Sequence, residues 1–151
     1  MNDARPNNDS RIVLEFRIKG MDFTTAGEAA TGIKRTMTQL GMPADMIRRV
    51  ASATYEAEIN VVIHAHRGCL VAKIGPERIE ICVEDEGPGI PDIDLAMQDG
   101  YSTAPTHVRE MGFGAGMGLT NIKRCVDQMH LDSVVDKGTT LRLLFFSKGR
   151  E

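Results

Sequence analysis

One segment with almost no charge constrains the fold of this chain most. Residues 50–65 read VASATYEAEINVVIHA, and Glu56 and Glu58 are the only formally charged side chains among them. At helical periodicity the apolar side chains cover nearly the whole circumference, which predicts a buried helix. Such a helix leaves few places where a carboxylate can meet water.

The rest of the chain alternates between strand-like and helix-like patterns. Gly75-Pro76 separates two apolar runs, and Asp136-Lys137-Gly138 separates two more, which predicts two hairpins. The predicted elements are a strand at 11–19, helices at 22–40 and 43–66, strands at 70–74 and 79–83, a glycine-rich loop at 87–118, a helix at 119–129, and strands at 131–135 and 139–146. This order predicts an α/β (α+β) two-layer sandwich with the helices on one face of the sheet.

Composition excludes several classes of protein. The 151 residues fit one domain, which we expect to span residues 11–147 after a disordered stretch at residues 1–10. The net charge is -3 with acids and bases interspersed, so we expect no nucleic-acid partner. The three cysteines form no CxxC pair, which argues against a disulfide framework or a zinc site. With no signal peptide and no run of membrane-spanning length, we expect a cytoplasmic protein without a membrane partner.

The buried helix carries one pair of polar residues that could bind a ligand. Glu56 and Asn60 are four positions apart and share one face, about 40° from each other, whereas Glu58 points about 200° away from Glu56. A hydrated Mg²⁺ ion with phosphates would satisfy a buried carboxylate and amide. The alternative is that both side chains border solvent or cap a neighbouring loop, and the spacing alone leaves it open.

A strand that ends in glycines supplies a second candidate wall. Alternation along residues 79–85 places Asp85 on the apolar face of the strand, where its carboxylate needs a donor. Gly87 and Gly89, followed by Ile90, remove Cβ atoms at two alternate positions and permit close approach of a flat ligand. An exocyclic amine of a purine would suit Asp85. An ordinary surface turn explains the same residues and stays open.

A third candidate wall is a ladder of glycines that leads into a helix. Glycine occupies every second position from Gly112 through Gly114 and Gly116 to Gly118, and Leu119 follows. Backbone N–H groups and the helix dipole at such an entry favour phosphate. A flexible linker is the alternative, and the apolar residues between the glycines weigh against it. Neither GxxxxGK[ST] nor GxGxxG occurs, and the signatures of the large two-lobed protein kinases are missing too.

Four motifs, taken together and in this order, resemble the GHKL ATPase superfamily. They are Glu56-x-x-x-Asn60, Asp85-x-Gly87-x-Gly89, Gly114-x-Gly116-x-Gly118-Leu119 and Gly138-Thr139-Thr140, and the resemblance covers nearly all of residues 11–146. The chain is most similar to the small anti-sigma regulatory and switch serine/threonine kinases of bacterial partner-switching systems. The stretches that carry this likeness are DEGPGIPDIDLAMQDGYST, GFGAGMGLTNIKRCVDQM and KGTT. The resemblance implies the Bergerat ATP-binding fold, with a mixed, mostly antiparallel sheet.

The resemblance also implies a role for each motif. Glu56 would activate the nucleophile, Asn60 would bind Mg²⁺, and Asp85 would hold the adenine amine of ATP. Thr139 or Thr140 would support the base. The residues that would line the base and the phosphates are Gly87, Gly89, Ile90, Gly112, Gly114, Gly116, Gly118 and Leu119.

The implied reaction is ATP-dependent phosphorylation of a serine or threonine in a partner protein that resembles an anti-sigma antagonist. Residues 91–117 would form the ATP lid, in which an insertion leaves the role of Arg109 open. One alternative is a nucleotide-gated binding module that sequesters a sigma factor or an antagonist without significant catalysis. A histidine-kinase fragment ranks third, because too few residues precede the second helix for a dimerisation domain. A homodimer stays open.

Overall fold

Alternating apolar and polar residues build one five-stranded sheet in the computed structural model, which describes residues 11–98 and 118–147. The strands are β1 (Ile12–Lys19), β2 (Arg67–Ile74), β3 (Arg78–Glu86), β4 (Gln128–Val134) and β5 (Gly138–Phe146). The helices are α1 (Glu28–Gln39), α2 (Ala44–His64), α3 (Ile93–Ala96) and α4 (Gly118–Cys125). The strand order is β1-β2-β3-β5-β4, and each neighbouring pair is antiparallel. The predicted two-layer sandwich with a mostly antiparallel sheet is confirmed.

One face of the sheet carries the hydrophobic core. On this face β3 buries Ile79, Ile81 and Val83, while the alternate residues Glu80 and Cys82 are only partly covered. Helix α2 packs over β1, β2 and β3 and also contacts α1 and α4. Its buried residues are Met46, Val50, Ala53, Thr54, Ala57, Glu58, Ile59, Val61, Val62 and Ile63. The buried helix predicted from the mostly apolar segment at residues 50–65 is therefore confirmed.

Helix α1 begins at Glu28 and not at Asp22, where the sequence pattern places its start. The hydroxyl of Thr25 donates to Asp22 Oδ2 over 2.9 Å, and the backbone N–H of Thr25 faces Asp22 Oδ1 at 3.4 Å. A short polar side chain that bonds its own backbone competes with helix formation. Gly27, with φ of 101°, then turns the chain into the helix.

Helix α4 is also shorter than predicted, because it ends at Cys125 and not at residue 129. The backbone N–H of Asp127 already donates to the carbonyl of Leu144 over 2.9 Å. Gln128 and Met129 then pair with β5, so these two residues belong to β4. Pairing with β5 outweighs local helical periodicity here.

The two remaining expectations concern the ends of the chain and the lid. Residues 1–10, predicted to be disordered, and residues 99–117 of the predicted lid lie outside the described residues. The described start of the lid contains α3, which begins where Asp92 Oδ1 accepts the N–H of Leu95 over 3.1 Å. Within the described parts of the chain, every helix is too short or too polar to cross a bilayer.

Candidate functional site

The first wall of the site forms where α2 meets the beginning of α4. Both Glu56 and Asn60 are partly buried on α2. A Cβ atom built on Gly118 would lie 3.1 Å from Asn60 Oδ1 and 3.5 Å from Glu56 Oε1. The absence of a side chain at Gly118 therefore lets the α4 backbone lie directly against both polar groups. The structure brings together three of the residues that the sequence proposes for the phosphates and Mg²⁺.

Glu56 holds its proton more tightly than an exposed glutamate does. Burial raises the pKa of Glu56, and a hydrogen bond from the Asn121 side chain opposes this shift without cancelling it. A carboxylate with a raised pKa is a stronger proton acceptor than an exposed glutamate. The group can therefore accept a proton from a hydroxyl brought into hydrogen-bond reach.

Glu58, two residues further along α2, has a structural partner. Its side chain is 3% exposed and accepts the backbone N–H groups of Gly27, Ala29 and Ala30 over 3.0, 3.1 and 3.2 Å. These are donors at the N-terminus of α1, which has no side-chain cap of its own. A carboxylate at a helix N-terminus satisfies the unpaired N–H groups and opposes the helix dipole. Glu58 is separate from the Glu56–Asn60 pair, as predicted. Its contact with the N-terminus of α1 was not predicted from the sequence.

The second wall lies at the end of β3, around Asp85. This residue is partly buried, and its Oδ1 accepts the backbone N–H of Thr139 over 3.0 Å. Burial raises the pKa of Asp85, while the Thr139 hydrogen bond acts in the opposite direction. The hydroxyls of Thr139 and Ser133 are 2.9 Å apart. Asp85, Thr139 and Ser133 thus form one connected polar group.

Thr140 is not brought to this group. It pairs with Glu84 on β3 and with Asp132 on β4, one position out of phase with Thr139 and Asp85. Since successive side chains of a strand point to opposite faces, Thr140 lies on the sheet face away from the helices. Of the two threonines that the sequence offers, Thr139 is the one beside Asp85.

The glycine loop after β3 is tied to the turn between β4 and β5. Gly87 N–H donates to the Lys137 carbonyl over 3.1 Å, and Ile90 N–H donates to Ser133 Oγ over 2.7 Å. Gly89 has φ of 76°, and a Cβ atom there would lie 2.5 Å from the Val134 carbonyl oxygen. The loop therefore holds its shape through backbone contacts that a larger residue would disturb.

Ser133 is a site residue that sequence reasoning missed. Its hydroxyl contacts the Gly138 carbonyl at 3.3 Å in addition to Ile90 and Thr139. The available signal was its position in β4, where it is directly opposite Thr139 in the register. That register follows from the position of the hairpin turn, which the sequence does predict.

The two walls lie beside different parts of α2. A Cβ atom on Gly87 would lie 3.0 Å from the Cα of Ala65, the residue after the last turn of α2. At 1.5 Å per residue, Ala65 is about 13 Å along the helix axis from Glu56 and about 7 Å from Asn60. An elongated ligand could therefore contact Asp85 at one end and Glu56 at the other.

The remaining predicted residues are in two groups. Gly112, Gly114, Gly116 and Arg109 lie outside the described residues. Leu119 packs against the hydrophobic core from the first turn of α4. In α4 the hydroxyl of Thr120 donates to the Met97 carbonyl over 3.0 Å. This hydrogen bond joins α4, which follows the predicted lid, to the residue directly after α3.

The described residues fit Mg²⁺ better than a metal held entirely by protein. Within residues 11–98 and 118–147, no group of three or more His, Cys, Asp or Glu side chains is placed to hold a metal. Mg²⁺ keeps several waters and takes one or two protein oxygens together with substrate phosphates. Asn60 Oδ1, beside the start of α4, is an oxygen of this kind.

The sequence is similar to those of known proteins. Residues 22–145 match the family described as the histidine kinase-like ATPase domain. The chain is 36% identical to the serine/threonine-protein kinase RsbT of Bacillus subtilis (strain 168) over 100 residues, which cover 64% of this chain and 69% of that protein. It is 30% identical to an anti-sigma F factor of Clostridium kluyveri over 138 residues, which cover 88% of this chain and 92% of that protein. A solved structure, the Acinetobacter baumannii histidine kinase AdeS, aligns with a TM-score of 0.48 at 13% identity and covers 90% of this chain and 68% of that one.

Proposed function

Because this chain belongs to the histidine kinase-like ATPase domain family, we propose that it transfers the γ-phosphoryl group of Mg·ATP to a serine or threonine of a partner protein. The observation that carries the proposal is the approach of Gly118 to Glu56 and Asn60. A helix N-terminus that favours phosphate, an oxygen suited to Mg²⁺ and a carboxylate suited to proton transfer meet at one point.

The second wall supports the placement of the nucleotide base. In this proposal the free acceptor capacity of the Asp85 carboxylate takes the exocyclic amine of adenine, and Thr139 with Ser133 supports the ring edge. The Asp85 Oδ1 atom already accepts from Thr139, so Oδ2 would be the oxygen that accepts from the base. The glycine loop from Gly87 to Ile90 lines the plane of the base.

Phosphoryl transfer then needs little more than positioning and charge neutralisation. Asn60 would hold Mg²⁺, which supplies charge neutralisation at the phosphates. Glu56 accepts the proton of the partner's hydroxyl as the oxygen attacks phosphorus, and the bond to the ADP oxygen breaks. The raised pKa of Glu56 makes it the better base for this step, to which general base catalysis contributes about 10²–10⁴ in rate.

The names of the relatives support a class of partner. One is called a serine/threonine-protein kinase and the other an anti-sigma F factor. We propose that this chain phosphorylates an antagonist-like protein in a partner-switching pathway of the cytoplasm, where it can also bind a sigma factor. The anti-sigma name favours one alternative, a nucleotide-gated module that sequesters a partner with negligible turnover.

Labelled ATP and a candidate antagonist protein distinguish these functions. With γ-labelled ATP and Mg²⁺, the chain should label the antagonist but not a version whose acceptor hydroxyl is replaced by alanine. Glu56→Gln should lose at least 10²-fold in transfer rate and keep its ATP affinity. The matched control is Glu77→Gln, which removes an exposed carboxylate in the turn between β2 and β3 and should change neither.

Three outcomes contradict the proposal in different ways. Loss of ATP binding together with transfer in Glu56→Gln would contradict the separate role of Glu56. An antagonist that binds in the presence of ATP but is never labelled would favour the sequestering module. A wild-type chain that binds no adenine nucleotide would overturn both functions.

A further inference from the structure

The hydroxyl of Ser133 connects two parts of the pocket that the proposed function assigns to the base. Among the described residues, three groups lie within hydrogen-bond reach of its oxygen. The backbone N–H of Ile90, at the end of the glycine loop, is 2.7 Å away, and the Thr139 hydroxyl is 2.9 Å away. The carbonyl of Gly138 is more distant, at 3.3 Å. None of the motifs identified in the sequence includes Ser133.

The chemistry of these groups limits the order of the protons. A backbone N–H can only donate and a carbonyl can only accept, whereas a hydroxyl has one proton and two acceptor sites. Ile90 therefore donates to Ser133. The proton of Ser133 then goes either to Thr139 Oγ1 or to the Gly138 carbonyl. An O–H···O bond is usually about 2.5–3.0 Å long, so the 2.9 Å contact with Thr139 is favoured over the 3.3 Å contact with Gly138.

This order leaves the proton of Thr139 available for a ligand. If Thr139 Oγ1 accepts from Ser133, its own O–H is the group that can donate. The neighbouring Asp85 carboxylate is an acceptor, and its Oδ1 already takes the backbone N–H of Thr139. The pocket therefore presents one acceptor and one donor next to each other. A 6-aminopurine offers the complementary pair, an amine N–H at C6 and an acceptor at N1, whereas a 6-oxopurine offers the reverse.

We infer that Ser133 is a positioning residue that directs the Thr139 proton toward N1 of the base and so favours a 6-aminopurine over a 6-oxopurine. The inference rests on the proposed function, because that function places a purine beside Asp85. Ser133 acts through Thr139 and not on the base itself. To accept the N1–H of a 6-oxopurine, Thr139 would have to reverse the hydroxyl pair and leave the Ser133 proton to the long Gly138 contact.

A nucleotide that lacks N1 tests this order by isothermal titration calorimetry. In 1-deaza-ADP a C–H group replaces N1, so the wild-type chain should bind it about fivefold more weakly than ADP, which is the loss of one hydrogen bond. In Ser133→Ala this difference should fall to about twofold or less, because nothing then fixes the direction of the Thr139 proton. Ser133→Thr keeps a hydroxyl at this position and should restore the difference.

The matched control is Ser147→Ala. The hydroxyl of Ser147 donates to the carbonyls of Pro76 and Glu77 over 2.8 and 3.0 Å, beyond the end of β5 that is opposite to Thr139. This variant also loses a bonded hydroxyl, but both nucleotides should bind it as they bind the wild type. If Ser133→Ala weakens ADP and 1-deaza-ADP by the same factor, the loss is a general structural defect and the inference is overturned.

A 6-oxopurine tests the selectivity directly. IDP should bind the wild-type chain at least about tenfold more weakly than ADP, because its C6 oxygen faces the Asp85 carboxylate and its N1–H faces the Thr139 proton. Equal affinities for IDP and ADP would overturn the inference.

Amide hydrogen exchange tests the Ser133 contact without any nucleotide. The N–H of Ile90 should exchange about tenfold faster in Ser133→Ala than in the wild type, because it loses its acceptor. An unprotected Ile90 N–H in the wild-type chain would overturn the inference, even if Ser133→Ala failed to fold. A chain that shows the expected pattern of nucleotide affinities but never labels a partner would support the inference and contradict the kinase proposal, so the two failures are distinguishable.

Discussion

Replacement of Glu58 should detach the N-terminus of α1 from α2 and lower the stability of the whole domain. The side chain is 3% exposed, and its two oxygens accept three backbone N–H groups. Oε2 accepts from Gly27 and Ala29, and Oε1 accepts from Ala30. No side-chain cap at the start of α1 could replace this carboxylate.

The magnitude follows from the number and kind of bonds lost. A hydrogen bond to a charged group contributes about 1.5–3 kcal/mol, and three bonds to one carboxylate are not additive. Glu58→Ala leaves these backbone N–H groups without an acceptor, at about 1–3 kcal/mol for each buried group, so the free energy of unfolding should fall by about 4 kcal/mol. In Glu58→Gln one oxygen becomes an N–H₂ group that faces a donor, and a loss of about 2 kcal/mol is expected.

Urea unfolding followed by circular dichroism measures this change, with the m-value checked for two-state behaviour. Glu56→Gln is the matched control, because it makes the same substitution one half-turn away. Burial raises the pKa of Glu56, so its ionised form is less stable in the folded state at neutral pH. The control should therefore leave the unfolding free energy unchanged or slightly higher. A loss below about 1 kcal/mol in Glu58→Ala would refute the capping argument.

Three further predictions concern the second wall. Asp85→Asn should weaken ADP binding at least tenfold in calorimetry, because a charge-assisted hydrogen bond to the base is lost. In the wild type, the free energy of unfolding should decrease as the pH rises from the ordinary pKa of aspartate through the raised pKa of Asp85. The reason is that the folded state binds more protons than the unfolded state in this pH range. Urea titrations at a series of pH values should find this contribution absent in Asp85→Asn. Gly89→Ala should cost about 1–3 kcal/mol in thermal unfolding, because a non-glycine residue is strained at φ of 76° and its Cβ meets the Val134 carbonyl; an unchanged Tm would contradict this.

Local periodicity was enough to predict the position of the polar pair on α2. Glu56 and Asn60 are four residues apart in an otherwise apolar helix, so any packing that buries that helix must place both on one side. Alternation along β3 likewise placed Asp85 on the apolar face, and its contact with Thr139 from β5 agrees with that placement. These predictions needed only the periodicity of side-chain positions along a helix or a strand.

Contacts between distant segments could not be predicted in the same way. The choice of Thr139 over Thr140 depends on the register between β3 and β5. The start of α1 depends on whether Asp22 bonds Thr25 or the helix continues, because the two arrangements compete for the same residues. Glu58 has no partner that is near it in sequence.

The sequence by itself determined the order of elements, the buried central helix and the three segments that could form a nucleotide site. Hydrophobic periodicity and glycine spacing are local properties of the sequence, and they do not depend on how the elements pack together. Only the tertiary structure decided that Gly118 meets Glu56 and Asn60, that Glu58 caps α1, and that Thr139 contacts Asp85. Each of these depends on how one element approaches another, and that approach is determined by side-chain packing across the whole core.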